Sequence, residues 1–234
     1  MVEAHIVILT GAGVSASSGL STFRGVGGVW RNHDVMQLAT PQGFAAKPDL
    51  VHAFYNERRA NLAKVQPNPA HHAIVKLQTS FLGRVTLITQ NVDDLHERSG
   101  SPEVIHMHGS LKEGMCKACG AQMLWTGPMD RKSKCPRCSK LGAMRPNVVW
   151  FGEVPYHMDR IAEALATVTT FISIGTSGAV YPAAGFLTEA LMRGAKTLEF
   201  NLEASARSSE FHESTLGKAE ELLPTFVDHL ISMQ

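Results

Sequence analysis

An apolar, β-branched run at His5–Thr10 passes directly into Gly11-Ala12-Gly13-Val14-Ser15-Ala16-Ser17-Ser18-Gly19. A buried strand that ends in a glycine-rich turn is how an α/β protein brings backbone N–H groups up to a phosphate. Gly11, Gly13 and Ala16 satisfy the dinucleotide fingerprint G-x-G-x-x-G/A. The usual fingerprint continues as a helix and then a second strand ending in Asp or Glu about twenty residues on. This chain instead reads Leu20-Ser21-Thr22-Phe23-Arg24-Gly25-Val26-Gly27-Gly28-Val29-Trp30-Arg31. Glycines among aromatic and Arg residues make a loop rather than a helix-to-strand unit. The pattern predicts a nucleotide site whose neighbouring loop folds over the ligand, an arrangement suited to chemistry on a dinucleotide itself.

The remaining chain alternates apolar strand-like runs with helical patterns. Strands are expected at His5–Thr10, Val85–Thr89, Val104–Met107, Asn147–Trp150, Thr170–Ile174 and Thr197–Asn201. Helices are expected at Pro69–Gln78, Val92–Ser99, Met158–Thr167, Pro182–Arg193 and Lys218–Ile231. The alternation implies a doubly wound parallel sheet of Rossmann type, with ligands at the carboxyl ends of its strands. Two stretches interrupt it: Asn32–Gln66, helical by pattern, and Glu113–Gly142, which carries all four cysteines. Both are read as a small lobe (about 32–66 and 113–142) inserted into a core of about 1–31, 67–112 and 143–234, the whole forming one catalytic domain.

At 234 residues and 44% hydrophobic content, one substantial core is affordable but not two full domains. A net charge of +1 gives no basic footprint for nucleic acid. The first residues lack a signal-peptide pattern and no apolar run is long enough to span a bilayer, so a cytoplasmic protein without membrane or nucleic-acid partners is expected. Cys116-x2-Cys119 and Cys135-x2-Cys138, fifteen residues apart, have the spacing of a four-cysteine zinc ribbon. Four thiolates leave no open position, so the metal is expected to be structural.

Polar sets follow several strands. Thr89-Gln90-Asn91-Val92-Asp93 stands where a strand gives way to a helix, so Asn91 and Asp93 either face the crevice or cap the helix. His106-Met107-His108-Gly109 ends the next strand, and period-two alternation puts both histidines on one face. His108, last before a glycine, is the better placed general base; the alternative is a structural histidine. Gly175-Thr176-Ser177-Gly178 and Asn201-Leu202-Glu203 complete three strand ends equipped for one dinucleotide.

These residues together resemble the sirtuins, NAD-dependent protein-lysine deacylases. The match runs through Gly11–Arg24, Gly28–Arg31, Thr89–Asp93, His106–Gly109, the four cysteines, Val149-Trp150-Phe151-Gly152-Glu153, Gly175–Ser177 and Asn201–Glu203. Ser21 stands where the family usually has Pro. The resemblance implies NAD, consumed as co-substrate, held by Gly11, Ala12, Gly13, Ser15, Thr22, Phe23, Arg24, Trp30, Gln90, Asn91, Val92, Asp93, Gly175, Thr176, Ser177, Asn201, Leu202, Glu203 and Ala219. It implies catalysis by His108 and Asn91, and an acyl-lysine peptide lying extended between Phe151-Gly152-Glu153 and Gly178–Val180. The partners implied are acylated lysines of proteins, approached by a monomer.

Tyr55 and Arg58 lie i, i+3 on an expected helix and share a face. By position alone they are a half-buried Tyr beside an exposed Arg. The branch of the family that removes acidic acyl groups carries a Tyr-x-x-Arg pair in this region, and a guanidinium beside a phenol suits a carboxylate. Gly43 is expected to leave room for a longer acyl chain, and Arg59 to point about 100° away from Arg58. The reading is removal of acetyl, succinyl and malonyl groups. Mono-ADP-ribosyl transfer on the same fold is the alternative, and a hydride-transferring dehydrogenase or a non-catalytic zinc-ribbon module are more distant ones.

Overall fold

The computed structural model describes residues 3–22 and 34–234. Among them β1 (His5–Thr10), β2 (Arg84–Thr89), β3 (Ile105–His106), β7 (Thr170–Ile174), β8 (Lys196–Asn201) and β9 (Glu213–Leu216) form a six-stranded sheet of order β3-β2-β1-β7-β8-β9. Its pairings are all parallel. From β1 the chain goes first to β2 on one side and later to β7 on the other. The strand order therefore reverses between β1 and β7, and in a doubly wound sheet the ligand crevice opens at such a reversal.

Alternation along β1 explains the layers. Ile6 and Ile8 face one apolar cluster, with Leu87, Ile172, Ile74, Leu77, Leu223 and Val227. Val7 and Leu9 face the other, with Ile88, Phe171, Ile161, Phe186 and Leu187. α4 (Pro69–Ser80) and α8 (Ala219–Ser232) cover the first face; α6 (Met158–Ala166) and α7 (Gly185–Met192) cover the second. Each fully buried aliphatic side chain contributes about 1.5–3 kcal/mol, so covering both faces is what holds the sheet.

The small lobe has two parts. Its helices α1 (Val35–Leu38), α2 (Pro41–Ala46) and α3 (Pro48–Leu62) enclose Leu38, Phe44, Val51, Tyr55 and Leu62 against Val92, Leu111 and Trp150. Asp34 caps α1 and Thr40 caps α2, and prolines open α2, α3 and α4 where no intrahelical N–H is needed. The second part is an antiparallel sheet of order β5-β4-β6, made of β4 (Gly109–Cys116), β5 (Gln122–Leu124) and β6 (Met144–Val148).

The sequence reading needs four corrections here. Of the run at Asn147–Trp150 only Asn147 and Val148 are strand, at the end of β6, which pairs antiparallel with β4 and is not part of the parallel sheet. Every residue of β6 is buried, so its pattern is that of a parallel-sheet strand. β4, β5 and β9 were not expected; β9 is exposed throughout and carries no alternation to read. The helix expected at Val92–Ser99 is a single turn, α5 (Leu95–Arg98), because Asn91 to Asp94 are spent on side-chain and loop bonds. The Val104–Met107 strand shrinks to two residues.

Candidate active site

Backbone meets backbone at the sheet reversal. The Gly11 N–H donates to the Ile174 carbonyl at 2.9 Å, and the Gly13 N–H to the Gly175 carbonyl at 2.9 Å. A Cβ on Gly13 would lie 2.6 Å from the Gly175 Cα, and one on Gly175 would lie 2.5 Å from the Val14 nitrogen. Glycine is therefore required on both sides for the two strand-end loops to touch. Beyond Gly11 the chain makes a 3-10 turn over Ala12–Ser18, against which the start of α8, at buried Ala219, packs. Thr176 is braced by Ser173 at 3.1 Å. The Asn201 amide donates to the Thr176 carbonyl at 2.7 Å, so this side chain staples two strand ends together. Ser177, Leu202 and Glu203 are exposed on the rim.

Below that rim lies a buried polar cluster. The Asn91 amide donates to the Gly11 carbonyl at 3.1 Å and to Ser15 Oγ at 3.3 Å. Ser15 donates to Asp93 Oδ2 at 3.1 Å, while Asp93 Oδ1 accepts the Leu95 N–H at 3.2 Å. Asp93 thus both holds the first N–H of α5, one residue before its N-cap Asp94, and faces the turn. Burial raises its pKa, with the hydrogen bonds from Leu95 and Ser15 opposing the shift. His71 Nδ1 accepts the Asn68 N–H at 3.2 Å, which assigns the ring proton to Nε2, 3.4 Å from Ser15 Oγ. Burial holds His71 neutral, with a pKa of about 4. The His96 ring lies 5.0 Å from it, bonded through Nε2 to Thr10 Oγ1 at 3.0 Å, and its buried Nδ1 has no partner among the described residues.

His108 follows the end of β3. Its Nδ1 lies 3.0 Å from the Gln90 carbonyl, which can only accept, so Nδ1 carries the proton and Nε2 keeps its lone pair. Burial lowers its pKa, with the Gln90 bond opposing, and the neutral base is favoured. His106 is different. Its Nε2 meets Glu97 Oε1 at 2.5 Å and its Nδ1 lies 3.1 Å from the Asn91 carbonyl. Burial is the largest single influence and lowers its pKa, but Glu97, the Asn91 carbonyl and Asp93 together outweigh it and the pKa rises. The two histidines read on one face thus divide into a neutral ring and an ion-paired one.

At the acyl end, Tyr55 is buried rather than half-buried, and its hydroxyl accepts the Trp150 indole N–H at 2.9 Å. That leaves the phenol proton to be donated elsewhere. Burial pushes its pKa up to about 12, so it stays a phenol. Arg58 is partly covered and stands over the Phe54 ring at 5.7 Å. Two expectations fail nearby. Gly43 leaves no room for a longer chain, since a Cβ there would lie 2.3 Å from the Gln37 carbonyl; the backbone of α1 fills the space. Arg59 is not a bystander either: its Nε donates to the Leu111 carbonyl at 2.8 Å.

On the expected peptide rim, Phe151 is exposed and its N–H is held by the Ala39 carbonyl at 2.9 Å. Gly152 takes a positive φ of 89°. The Glu153 carboxylate is committed to Arg145, at 2.5 and 3.0 Å, and to the Trp150 N–H at 2.8 Å. Gly178 and Val180 line the facing loop, beside Gln90 and Ser173. Val92 is buried beneath; its carbonyl accepts the Leu111 N–H at 2.8 Å. Thr22 lies at the edge of the described residues, and Phe23, Arg24 and Trp30 lie outside them.

The four cysteine sulfurs lie within 4.8 Å of one another, with Cys116–Cys138 at 3.7 Å and Cys119–Cys135 at 3.8 Å. A tetrahedron with Zn–S bonds of about 2.3 Å has edges of about 3.8 Å. Two of the separations match that edge and the others lie within 4.8 Å, so the four thiolates suit one zinc ion and leave it no open position.

Sequence reasoning missed His71, His96 and Trp150 as parts of the site. The only local signal for His71 was its place three residues after the helix-capping Asn68, with which it forms a capping box.

The Sir2 family model matches residues 11–182. A protein of Caulobacter vibrioides named NAD-dependent protein deacylase is 51% identical over 230 residues, covering 97% of each chain. One of the same name from Shigella flexneri is 49% identical over 233 residues, covering 99% of this chain and 85% of that one. A solved Sir2 homolog–NAD complex superposes with a TM-score of 0.90 at 38% identity, covering 99% of this chain and 91% of the other. The glycine-bounded reversal, the neutral His108 and the four-thiolate cluster are set in a chain that belongs to the Sir2 family.

Proposed function

We propose that this protein is an NAD-dependent protein-lysine deacylase that acts on acetyl-, succinyl- and malonyl-lysine. The observation that carries the reading is His108. Its Nδ1–H is fixed on the Gln90 carbonyl and burial keeps it neutral, which presents Nε2 as a base beside the crevice. Bound NAD supplies an electrophilic ribose carbon: with water and acyl-lysine it yields free lysine, nicotinamide and O-acyl-ADP-ribose.

The residues divide the work. The Gly11–Ser15 turn and the Gly175–Ser177 loop carry the dinucleotide phosphates and adenosine half. Asn91 and Asp93, aligned by Ser15, orient the nicotinamide ribose. His108 Nε2 removes a proton from a ribose hydroxyl so that this oxygen can take the acyl group. Tyr55 donates its phenol proton and Arg58 its guanidinium to the distal carboxylate of an acidic acyl chain; they share a helix face, and both stay in the required protonation state. The backbone near Phe151-Gly152 and Gly178–Val180 receives the peptide as an added strand. The zinc held by Cys116, Cys119, Cys135 and Cys138 shapes the lobe and touches no reactant.

Incubation with NAD and each acyl-lysine peptide tests the reading. Nicotinamide should be released in step with free lysine, with no absorbance from reduced nicotinamide. ADP-ribose attached to protein would favour mono-ADP-ribosyl transfer, and reduced nicotinamide without nicotinamide release would favour hydride transfer.

A further inference from the structure

One helix serves two neighbours. Along α3, Asn56 and Arg59 are each rotated about 100° from Tyr55 and Arg58. Asn56 pairs with the peptide of Met129 in both senses: its Nδ2 donates to the Met129 carbonyl at 2.9 Å and its Oδ1 accepts the Met129 N–H at 2.8 Å. Arg59 Nη1 donates to the same Oδ1 at 2.9 Å, and its Nε reaches the Leu111 carbonyl on β4. The Met129 side chain is buried in one cluster with Cys116, Cys135 and Met144. A continuous set of contacts therefore runs from the cysteine cluster through Met129 and Asn56 into the helix that carries Tyr55 and Arg58.

We propose that Asn56 is a positioning residue for acyl selectivity: its two-bond pairing with Met129 fixes the register of α3 on the cysteine module and so places Tyr55 and Arg58 at the far end of the acyl chain. The inference rests on the acyl reading given above. Val51, Phe54 and Leu62 anchor α3 through apolar packing in the lobe core, while Arg59 and Tyr55 add single bonds to Leu111 and Trp150. Apolar packing is non-directional and tolerates a small slide or roll. A paired amide does not, because hydrogen bonds weaken steeply with angle. Misplacement of about 1 Å disrupts a charge-assisted contact to a succinyl carboxylate. An acetyl group ends short of that contact and is indifferent to it.

The test uses zinc-loaded Asn56→Ala and Asn56→Asp with acetyl- and succinyl-lysine peptides. Asn56→Ala should raise the succinyl KM about three- to tenfold, as expected when the two bonds to Met129 and the one from Arg59 are lost at a distance from the acyl chain. Its kcat and its acetyl KM should stay near wild type. Asn56→Asp keeps the oxygen that accepts from Met129 and Arg59, so its succinyl KM should lie between the two; it also carries the test if the Ala variant does not fold. Amide exchange across Pro48–Leu62 should speed up in Asn56→Ala while that of β1 and β7 does not. An equal loss on both peptides would overturn the proposal, since it would mark a merely structural role. An unchanged succinyl KM with faster α3 exchange would overturn it too. Arg58→Met separates the two ideas: no effect of that variant on the succinyl KM refutes the acyl reading, whereas an effect there without one at Asn56 refutes only this proposal.

Discussion

At the reversal between β1 and β7, glycines let two loops bond main chain to main chain, and Asn91, Ser15 and Asp93 fill the space beneath them. In the cysteine module the buried cluster among the described residues is small, Cys116, Met129, Cys135 and Met144, and side chains such as Asn56 and Arg59 tie the module to α3. A core that small does not hold a fold without a further link, and a metal is the usual one. The difference teaches where each kind of change should be felt. The crevice leaves no room for an added Cβ at Gly13 or Gly175, whereas the lobe rests on its thiolates.

The largest expected effect is zinc removal. Structural zinc in small modules contributes about 10–16 kcal/mol of apparent binding energy at neutral pH. Chelation should expose four titratable thiols and abolish amide protection across β4 and β6, while β1 and β7 keep theirs. Loss of protection in the whole sheet at once would break the comparison, because the two regions would then be one cooperative unit.

His108→Ala comes next. Removing a general base costs about 10²–10⁴-fold in turnover, with NAD binding retained by calorimetry. Burial lowers the His108 pKa from the usual histidine value, so the unprotonated base is present at neutral pH and the rate should fall only on acidification. Near-wild-type turnover in the variant would move the base elsewhere, with His106 the next to test.

Gly175→Ala puts a Cβ 2.5 Å from the Val14 nitrogen at a φ of 62°. Overpacking of this kind costs about 1–3 kcal/mol, to be read by denaturant unfolding. It should lower rates on acetyl and succinyl peptides by one factor, because both share the crevice; an acyl-selective effect would blur the division between regions. Tyr55→Phe has the smallest expected effect. It deletes the bond donated to the acyl carboxylate, about 1.5 kcal/mol or roughly tenfold on the succinyl peptide, and it also removes the acceptor of the Trp150 indole N–H. A larger loss on acetyl-lysine would show that Tyr55 serves the lobe core, through Trp150, more than the acyl chain.

What could be read in advance follows the range of the interactions. The β1 strand, the glycine turn and the paired C-x2-C motifs are local patterns, and they appear where the sequence puts them. β6 was assigned to the wrong sheet because burial on both faces gives one pattern in either setting. The cluster of Ser15, His71, Asp93 and His96 joins residues far apart in the chain, which no periodicity encodes. Gly43 shows the opposite limit: the absence of a side chain is visible in the sequence, but what occupies the space is not.

The division of labour between crevice and lobe is tested most directly by Arg58→Met, measured as the ratio of kcat/KM for succinyl-lysine to that for acetyl-lysine. A charge-assisted hydrogen bond contributes about 1.5–3 kcal/mol, so the ratio should fall about ten- to hundredfold while the acetyl value stays close to wild type. Arg59 is no neutral control, given its bond to Leu111, so Glu57→Gln, on the exposed side of α3, takes that place and should leave the ratio unchanged. A fall of both peptides by the same factor in Arg58→Met would contradict the account.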